Sequence, residues 1–151
     1  MKAARKYIDI SKFLPHRPPM LMVTRIIAID KETVTTEYQV AKDCIFVRND
    51  TLTESGIIEN AAQACSSIVG QSYFAEDDLE GEGNTVIGFI SGIKTAHIHF
   101  LPRIDDIITT QAHLISRYDS DNFSLCTMGC QTWAGGKMLA ECTLNFMIQE
   151  I

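Results

Sequence analysis

The sequence predicts an α+β fold in which an antiparallel β-sheet wraps around one long helix. Three observations lead to this prediction. Two strand-like runs open the chain, one strongly apolar helical stretch follows them, and three long strand-like runs complete the sequence. A sheet must cover its apolar face, and this chain offers a single helix to cover it.

The first strand-like run covers residues 20–30 and is entered through Pro18-Pro19. Proline cannot donate a ladder hydrogen bond, so this pair predicts a rigid lead-in before a strand. Residues 33–40 alternate between apolar and polar side chains and are rich in β-branched residues, as a half-buried strand should be. The short acidic turn between the two runs predicts that they pair as a hairpin.

The long helix is predicted from residue 54 to about residue 74. Its apolar residues recur at helical spacing, and Thr51 followed by Glu54 fits a capping box. Few long charged side chains occur along it, which predicts a central helix buried on most sides. A stripe of polar or small residues shares one side of this helix: Glu59, Gln63, Ser66 and Gly70.

Residues 75–84 are acidic, contain two glycines and predict an exposed loop. Strand-like runs then cover residues 86–100, 104–118 and 123–148, the last interrupted by a Gly135-Gly136 hairpin signal. The whole order predicts a hot-dog fold, formed as a single domain over residues 1–151. One sheet with one helix leaves exposed strand edges, so we also expect a homodimer.

The composition excludes several classes of protein. A formal net charge of −6 argues against nucleic acid as a partner, and no apolar run is long enough for a membrane span. The N-terminal residues do not form an apolar signal-peptide core, so a cytoplasmic location is expected. The five cysteines form no C-x-x-C pair, which suggests small buried side chains rather than disulfides or a zinc site.

Three segments together resemble the 3-hydroxyacyl-[acyl-carrier-protein] dehydratases of the FabA/FabZ type. The first, over residues 14–26, reads Leu-Pro-His-Arg-Pro-Pro-Met-Leu-Met-Val-Thr-Arg-Ile and departs from that family at Thr24, where an aspartate is usual. The second, over residues 59–64, reads Glu-Asn-Ala-Ala-Gln-Ala and is similar to the run on the family's central helix. The third covers residues 90–96 and is weaker.

The resemblance implies the elimination of water from a 3-hydroxyacyl thioester by a histidine and a carboxylate, one acting as base and the other as acid. The carboxylate then falls on Glu59, with Gln63 orienting the site and Gly56, Ser66 and Gly70 beside the substrate. No metal or redox cofactor is implied. The substrate would arrive on the phosphopantetheine of an acyl carrier protein or on CoA, and an acidic carrier would need a local basic patch.

The family's histidine, in a Gly-His-Phe-Pro segment before the helix, is missing from this chain. Asn49 or Asp50 stands near that place, while His16 lies in the opening motif, where we interpret it mainly as a brace and a possible support for catalysis. The Pro-His-x-Pro-Pro-Met opening also resembles the ApeP-like dehydratases of aryl polyene synthesis. That resemblance implies that related hot-dog subunits can associate.

Two alternatives therefore stand beside the dehydratase. One carboxylate on a central helix can also activate water for thioester hydrolysis. The missing histidine also suits a non-catalytic subunit of a heteromeric assembly. The remaining histidines offer no third metal ligand nearby in sequence, and His97 and His99 alternate along a predicted strand so that both face solvent.

Overall fold

The computed structural model describes residue 10, residue 14, residues 16–70 and residues 86–150. Its elements, in chain order, are β1 (Arg25–Ile29), β2 (Thr33–Gln39), β3 (Val47–Arg48), β4 (Thr51–Leu52), α1 (Glu54–Gly70), β5 (Val86–Ile98), β6 (Ile107–Asp119), β7 (Phe123–Ala134) and β8 (Lys137–Glu150). The predicted α+β order is confirmed.

One antiparallel sheet holds six of the strands, in the order β1-β2-β6-β7-β8-β5. Helix α1 packs across the sheet and contacts β2, β5, β6, β7 and β8. Its apolar residues form one core with the inner side chains of β6, β7 and β8, including Ala112, Met128 and Leu144. The hot-dog arrangement is therefore confirmed, with the helix packed against the inner face of a curled sheet.

The predicted hairpins occur as expected. Strands β1 and β2 pair antiparallel, and β7 and β8 are joined through Gly135 and Gly136 with φ angles of 55° and 77°. Two consecutive positive φ angles suit glycine and match the right-handed twist of the flanking strands. The predicted acidic loop at residues 75–84 lies outside the described residues, as does the predicted helical stretch beyond Gly70.

The first predicted strand begins too early. Residues 16–24, which we call the entry segment, have no helix or strand, and the Pro18-Pro19 peptide bond is cis. Pairing with β2 starts only at Thr24, whose N–H donates to the Glu37 carbonyl over 2.8 Å. Further back, the backbone of the segment bonds to side chains of α1 instead of a neighbouring strand.

The predicted capping box was wrong in register. Thr51 lies in β4, a short strand that the sequence did not reveal, and its hydroxyl donates to the Asn49 carbonyl. The helix is entered through Thr53 instead. The Thr53 carbonyl accepts the first helical bond from Ile57 N–H at 3.1 Å, while its hydroxyl donates to the Phe46 carbonyl at 2.8 Å.

Strand β5 forms one edge of the sheet, with β8 as its neighbour among the described residues. It carries exposed large apolar side chains, Phe89 and Ile93, which are 46% and 53% exposed. All five cysteines are buried, as predicted. Within the described ranges, no helix combines the length and apolar character needed to cross a bilayer.

Candidate active site

A small cavity lies where the entry segment, α1 and the edge strand β5 meet. It has a volume of about 60 Å³. Its lining residues are His16, Glu59, Ala62, Gln63, Ser66, Gly88, Phe89, Ile90 and Phe146. Ligand pockets that enclose a whole small molecule are several times larger, so a cavity of this size suits the reacting end of a longer substrate.

Helix α1 supplies the polar wall of this cavity. Glu59, Gln63 and Ser66 are spaced three or four residues apart and therefore point to the same side of the helix. The Ser66 hydroxyl donates to the Ala62 carbonyl at 2.6 Å, which leaves its oxygen as an acceptor beside the cavity. The opposite wall, from β5 and β8, is apolar and includes Ile90 and Phe146.

His16 and Glu59 face each other across the cavity. The imidazole Nε2 lies 3.8 Å from Glu59 Oε1, and the two side chains are 27% and 23% exposed. Burial lowers the pKa of His16 below its ordinary value of 6.5; the Glu59 charge opposes this shift and the neighbouring Arg17 charge adds to it. The imidazole is therefore neutral at neutral pH and can accept a proton.

Gln63 holds the Glu59 carboxylate in place. Its amide nitrogen donates to Glu59 Oε1 at 2.9 Å and to the Met20 carbonyl at 2.9 Å. Its amide oxygen accepts the Met22 N–H at 2.7 Å. Gln63 is only 1% exposed, and these partners occupy its hydrogen-bonding groups. We therefore interpret Gln63 as a residue that positions Glu59 and does not itself react with a substrate.

The site residues predicted from sequence are partly brought together. His16, Glu59, Gln63 and Ser66 line the same cavity. Gly70 is the last residue of α1, one turn beyond Ser66. Gly56 lies apart from this lining: it is buried against the side chains of Leu52 and Phe46, which leave no space for a β-carbon.

Asn49 and Asp50 stand near the place of the family's histidine in the sequence. Both are exposed and occupy the turn between β3 and β4, with φ angles of 52° and 61°, away from the cavity lining. The exposed positions predicted for His97 and His99 are confirmed, and His99 pairs with Glu141 on the surface at 4.0 Å. No group of three or more metal-binding side chains occurs within the described part of the chain.

Asn60, which sequence reasoning missed, lies beside the predicted residues but faces the sheet. Its amide nitrogen donates to the Met22 carbonyl and its oxygen accepts the Thr110 hydroxyl, each over 2.7 Å. It is the second residue of the Glu-Asn-Ala-Ala-Gln-Ala run. The available signal was spacing: Asn60 lies three residues after Ile57 and four before Ala64, and therefore on the apolar side of the helix.

A family model described as "ApeP-like: ApeP dehydratase" matches residues 8–150. No curated protein matches the chain.

Solved structures give the same fold. The dehydratase heterocomplex ApeI:P from Xenorhabdus doucetiae superposes with a TM-score of 0.75 at 19% identity, covering 93% of this chain and 91% of that one. Cj0977, a virulence protein from Campylobacter jejuni, gives 0.62 at 12% identity, with 87% and 79% covered. The PaaI protein of E. coli gives 0.55 at 11% identity, with 80% and 79% covered.

Proposed function

Because the chain belongs to the ApeP-like dehydratase family, we propose that it eliminates water from a 3-hydroxyacyl thioester with His16 and Glu59 as the acid–base pair. The observation that carries this proposal is the 3.8 Å approach of His16 Nε2 to Glu59 Oε1 in one cavity. A histidine and a carboxylate are the two groups that such an elimination needs. Here the histidine comes from the entry segment instead of the stretch before the helix.

In this mechanism His16 acts as the base. Its neutral Nε2 takes a proton from C2 of the acyl group, while Glu59, as the general acid, delivers a proton to the hydroxyl on C3, which leaves as water. The product is a 2-enoyl thioester, and the pair is left as imidazolium and carboxylate. Transfer of the proton from His16 to Glu59 then restores the starting state, and the short distance between them permits this.

The acyl chain would lie against the apolar wall of the cavity, with Ser66 and Ala62 leaving space next to α1. The exposed Phe89 at the rim would move aside when the thioester enters. The thioester would be carried on phosphopantetheine, from an acyl carrier protein or CoA, and the chemistry needs no metal or redox cofactor. The protein would act in the cytoplasm, where such carriers are found.

A second hot-dog subunit is proposed to cover β5. This strand is 13 residues long and lies at the sheet edge, and an exposed edge of that length is a template for pairing with another chain. Gly88, Phe89 and Ile90 of β5 also line the cavity, so a partner on this edge would lie beside the site. The partner would be a second copy of this chain or a related subunit. The dehydratase heterocomplex ApeI:P from Xenorhabdus doucetiae is an example of the second kind of assembly.

The test follows two signals at once. Purified protein, alone and with a related hot-dog subunit, is incubated with 3-hydroxyacyl and 2-enoyl thioesters while enoyl absorbance and free thiol are recorded. We expect absorbance to change without thiol release, and Glu59→Gln or His16→Asn to lower the rate roughly 10²- to 10⁴-fold. His99→Asn and Glu141→Gln, which alter an exposed histidine–glutamate pair elsewhere, provide matched controls.

Each other outcome has a defined meaning. Thiol release would assign thioester hydrolysis instead, and full activity in Glu59→Gln would overturn the proposed pair. Absorbance change only in the presence of the related subunit, unaffected by His16→Asn, would assign this chain a non-catalytic role in the assembly.

A further inference from the structure

His16 lies on a segment with no helix or strand, so its position must be set by individual contacts. Its ring nitrogen Nδ1 is buried and has no hydrogen-bond partner among the described residues. Within the described ranges, no hydrogen bond to Nδ1 therefore holds the imidazole. Its distance from Glu59 depends on where the backbone of the entry segment is fixed.

Two side chains of α1 fix that backbone at Met22. The Met22 N–H donates to Gln63 Oε1 at 2.7 Å, and the Met22 carbonyl accepts from Asn60 Nδ2 at 2.7 Å. Both backbone groups of one residue are thus satisfied by side chains, in place of a neighbouring strand. Met22 itself is fully buried, so water cannot replace these partners.

Asn60 can hold the Met22 carbonyl only if its amide nitrogen faces the entry segment. A hydroxyl from the sheet enforces this orientation: Thr110 Oγ1 donates to Asn60 Oδ1 at 2.7 Å. Thr110 and Thr132 hydroxyls lie 3.1 Å apart, so the Thr132 hydroxyl can donate to Thr110 and hold it as the donor to Asn60. Asn60 and Thr110 are both 0% exposed.

We propose that Thr110, a sheet residue outside the cavity lining, is a positioning residue for the acid–base pair, acting through Asn60 and Met22. The inference rests on the proposed function and adds to it a residue of β6 on the far side of α1. A hydroxyl is required at position 110, because a methyl group there would leave Asn60 Oδ1 without its donor and free the amide to turn.

The chain offers a closely matched set of variants. Thr110→Val keeps the shape and removes the hydroxyl, while Thr110→Ser keeps the hydroxyl. Thr36 lies directly opposite Thr110 in the β2–β6 register and is also 0% exposed. Its hydroxyl has no hydrogen-bond partner within the described residues. Thr36→Val therefore makes the same chemical change on the neighbouring strand and leaves the bond between Thr110 and Asn60 in place.

The first measurement is an NMR titration of the His16 imidazole in each folded variant. We expect Thr110→Val to move the His16 pKa towards its ordinary value, because a loosened entry segment exposes the ring, and Thr110→Ser and Thr36→Val to leave it as in the wild type. A wild-type His16 titration in Thr110→Val would overturn the inference, even if that variant melts at a lower temperature.

The second measurement is turnover of a 3-hydroxyacyl thioester, where misplacement of a catalytic group by about 1 Å can cost about 10²-fold. We expect kcat of Thr110→Val to fall by roughly 10- to 100-fold with little change in KM, and Thr110→Ser to restore it. Equal kcat in Thr110→Val and Thr36→Val would contradict the inference. A silent wild type would count against the proposed function, while the titration would still decide the role of Thr110.

Discussion

Glu59 Oε1 lies 3.8 Å from His16 Nε2 and at the same time accepts a 2.9 Å hydrogen bond from Gln63. One carboxylate oxygen therefore faces both a titrating imidazole and a fixed amide donor. The amide does not act as an acid or base near neutral pH, so Gln63 only positions the carboxylate, whereas the imidazole can pass a proton to or from it.

The acid limb of the pH–rate profile should report His16. Activity needs the neutral imidazole, so it should fall as the pH drops through the His16 pKa, which burial places below 6.5. Arg17 also lowers that pKa, so Arg17→Gln should move the limb to higher pH. Lys31→Gln, at an exposed turn, is the control, and an unmoved limb in Arg17→Gln would count against His16 as the base.

The same shift should appear in stability. Because the folded-state pKa of His16 lies below the unfolded value, the unfolded chain binds the proton more readily. The contribution of the neutral imidazole is therefore fully present above about pH 6.5 and is lost as the pH falls through the folded pKa. Urea unfolding of wild type and His16→Asn should give curves that converge on acidification, and a constant gap would contradict this.

Gln63→Leu should lower both stability and activity. The substitution keeps the approximate shape but leaves the Met22 N–H and the Met20 carbonyl without their side-chain partner, at a cost of about 3 kcal/mol in the free energy of unfolding. Gln131→Leu, on an exposed position of β7, should change it by less than about 0.5 kcal/mol. Equal losses in the two variants would show that the Gln63 bonds contribute nothing.

Gly56→Ala should act through packing rather than through substrate binding. The added methyl group would meet the Leu52 and Phe46 side chains, so we expect a loss of about 1–3 kcal/mol in the free energy of unfolding and an unchanged KM for the thioester. Ser55→Ala, one residue earlier and exposed, is the control. A raised KM with unchanged stability would instead support the substrate contact predicted from the sequence.

The native protein should resist thiol alkylation at mildly alkaline pH. Burial raises the pKa of Cys126, and the contact with Cys130 together with burial raises that of Cys142, so the reactive thiolate is scarce. We expect all five cysteines to react in urea and none at a comparable rate in buffer, as counted by mass spectrometry. Fast labelling of Cys142 in the folded protein would contradict this picture.

Most of the fold could be predicted because its signals are local. The period of Ile57, Ala61 and Ile68 marks α1, and Gly135-Gly136 marks the β7–β8 turn. The early part of the first strand was wrong because Met20 and Met22 bond to side chains of α1, a contact between distant parts of the chain that no local pattern reveals.

The site was predicted less completely for the same reason. Glu59, Gln63 and Ser66 share a helix face, so their proximity follows from spacing. His16 was interpreted mainly as a brace, since its approach to Glu59 depends on how the entry segment folds back. Thr110 lies on a strand far away in sequence and gives no sign of its role until the sheet is assembled.

The strand order also affects the order in which parts of the sheet form during folding. Strands β7 and β8 are joined by a tight turn and can form early, whereas β2 must find β6 across the intervening helix and β5. Closing so long a loop is entropically costly, so contacts of this kind tend to form late. We therefore expect the entry segment to pack against α1 among the last steps of folding. Pulse-labelled hydrogen exchange at the Met22 amide would reveal that order.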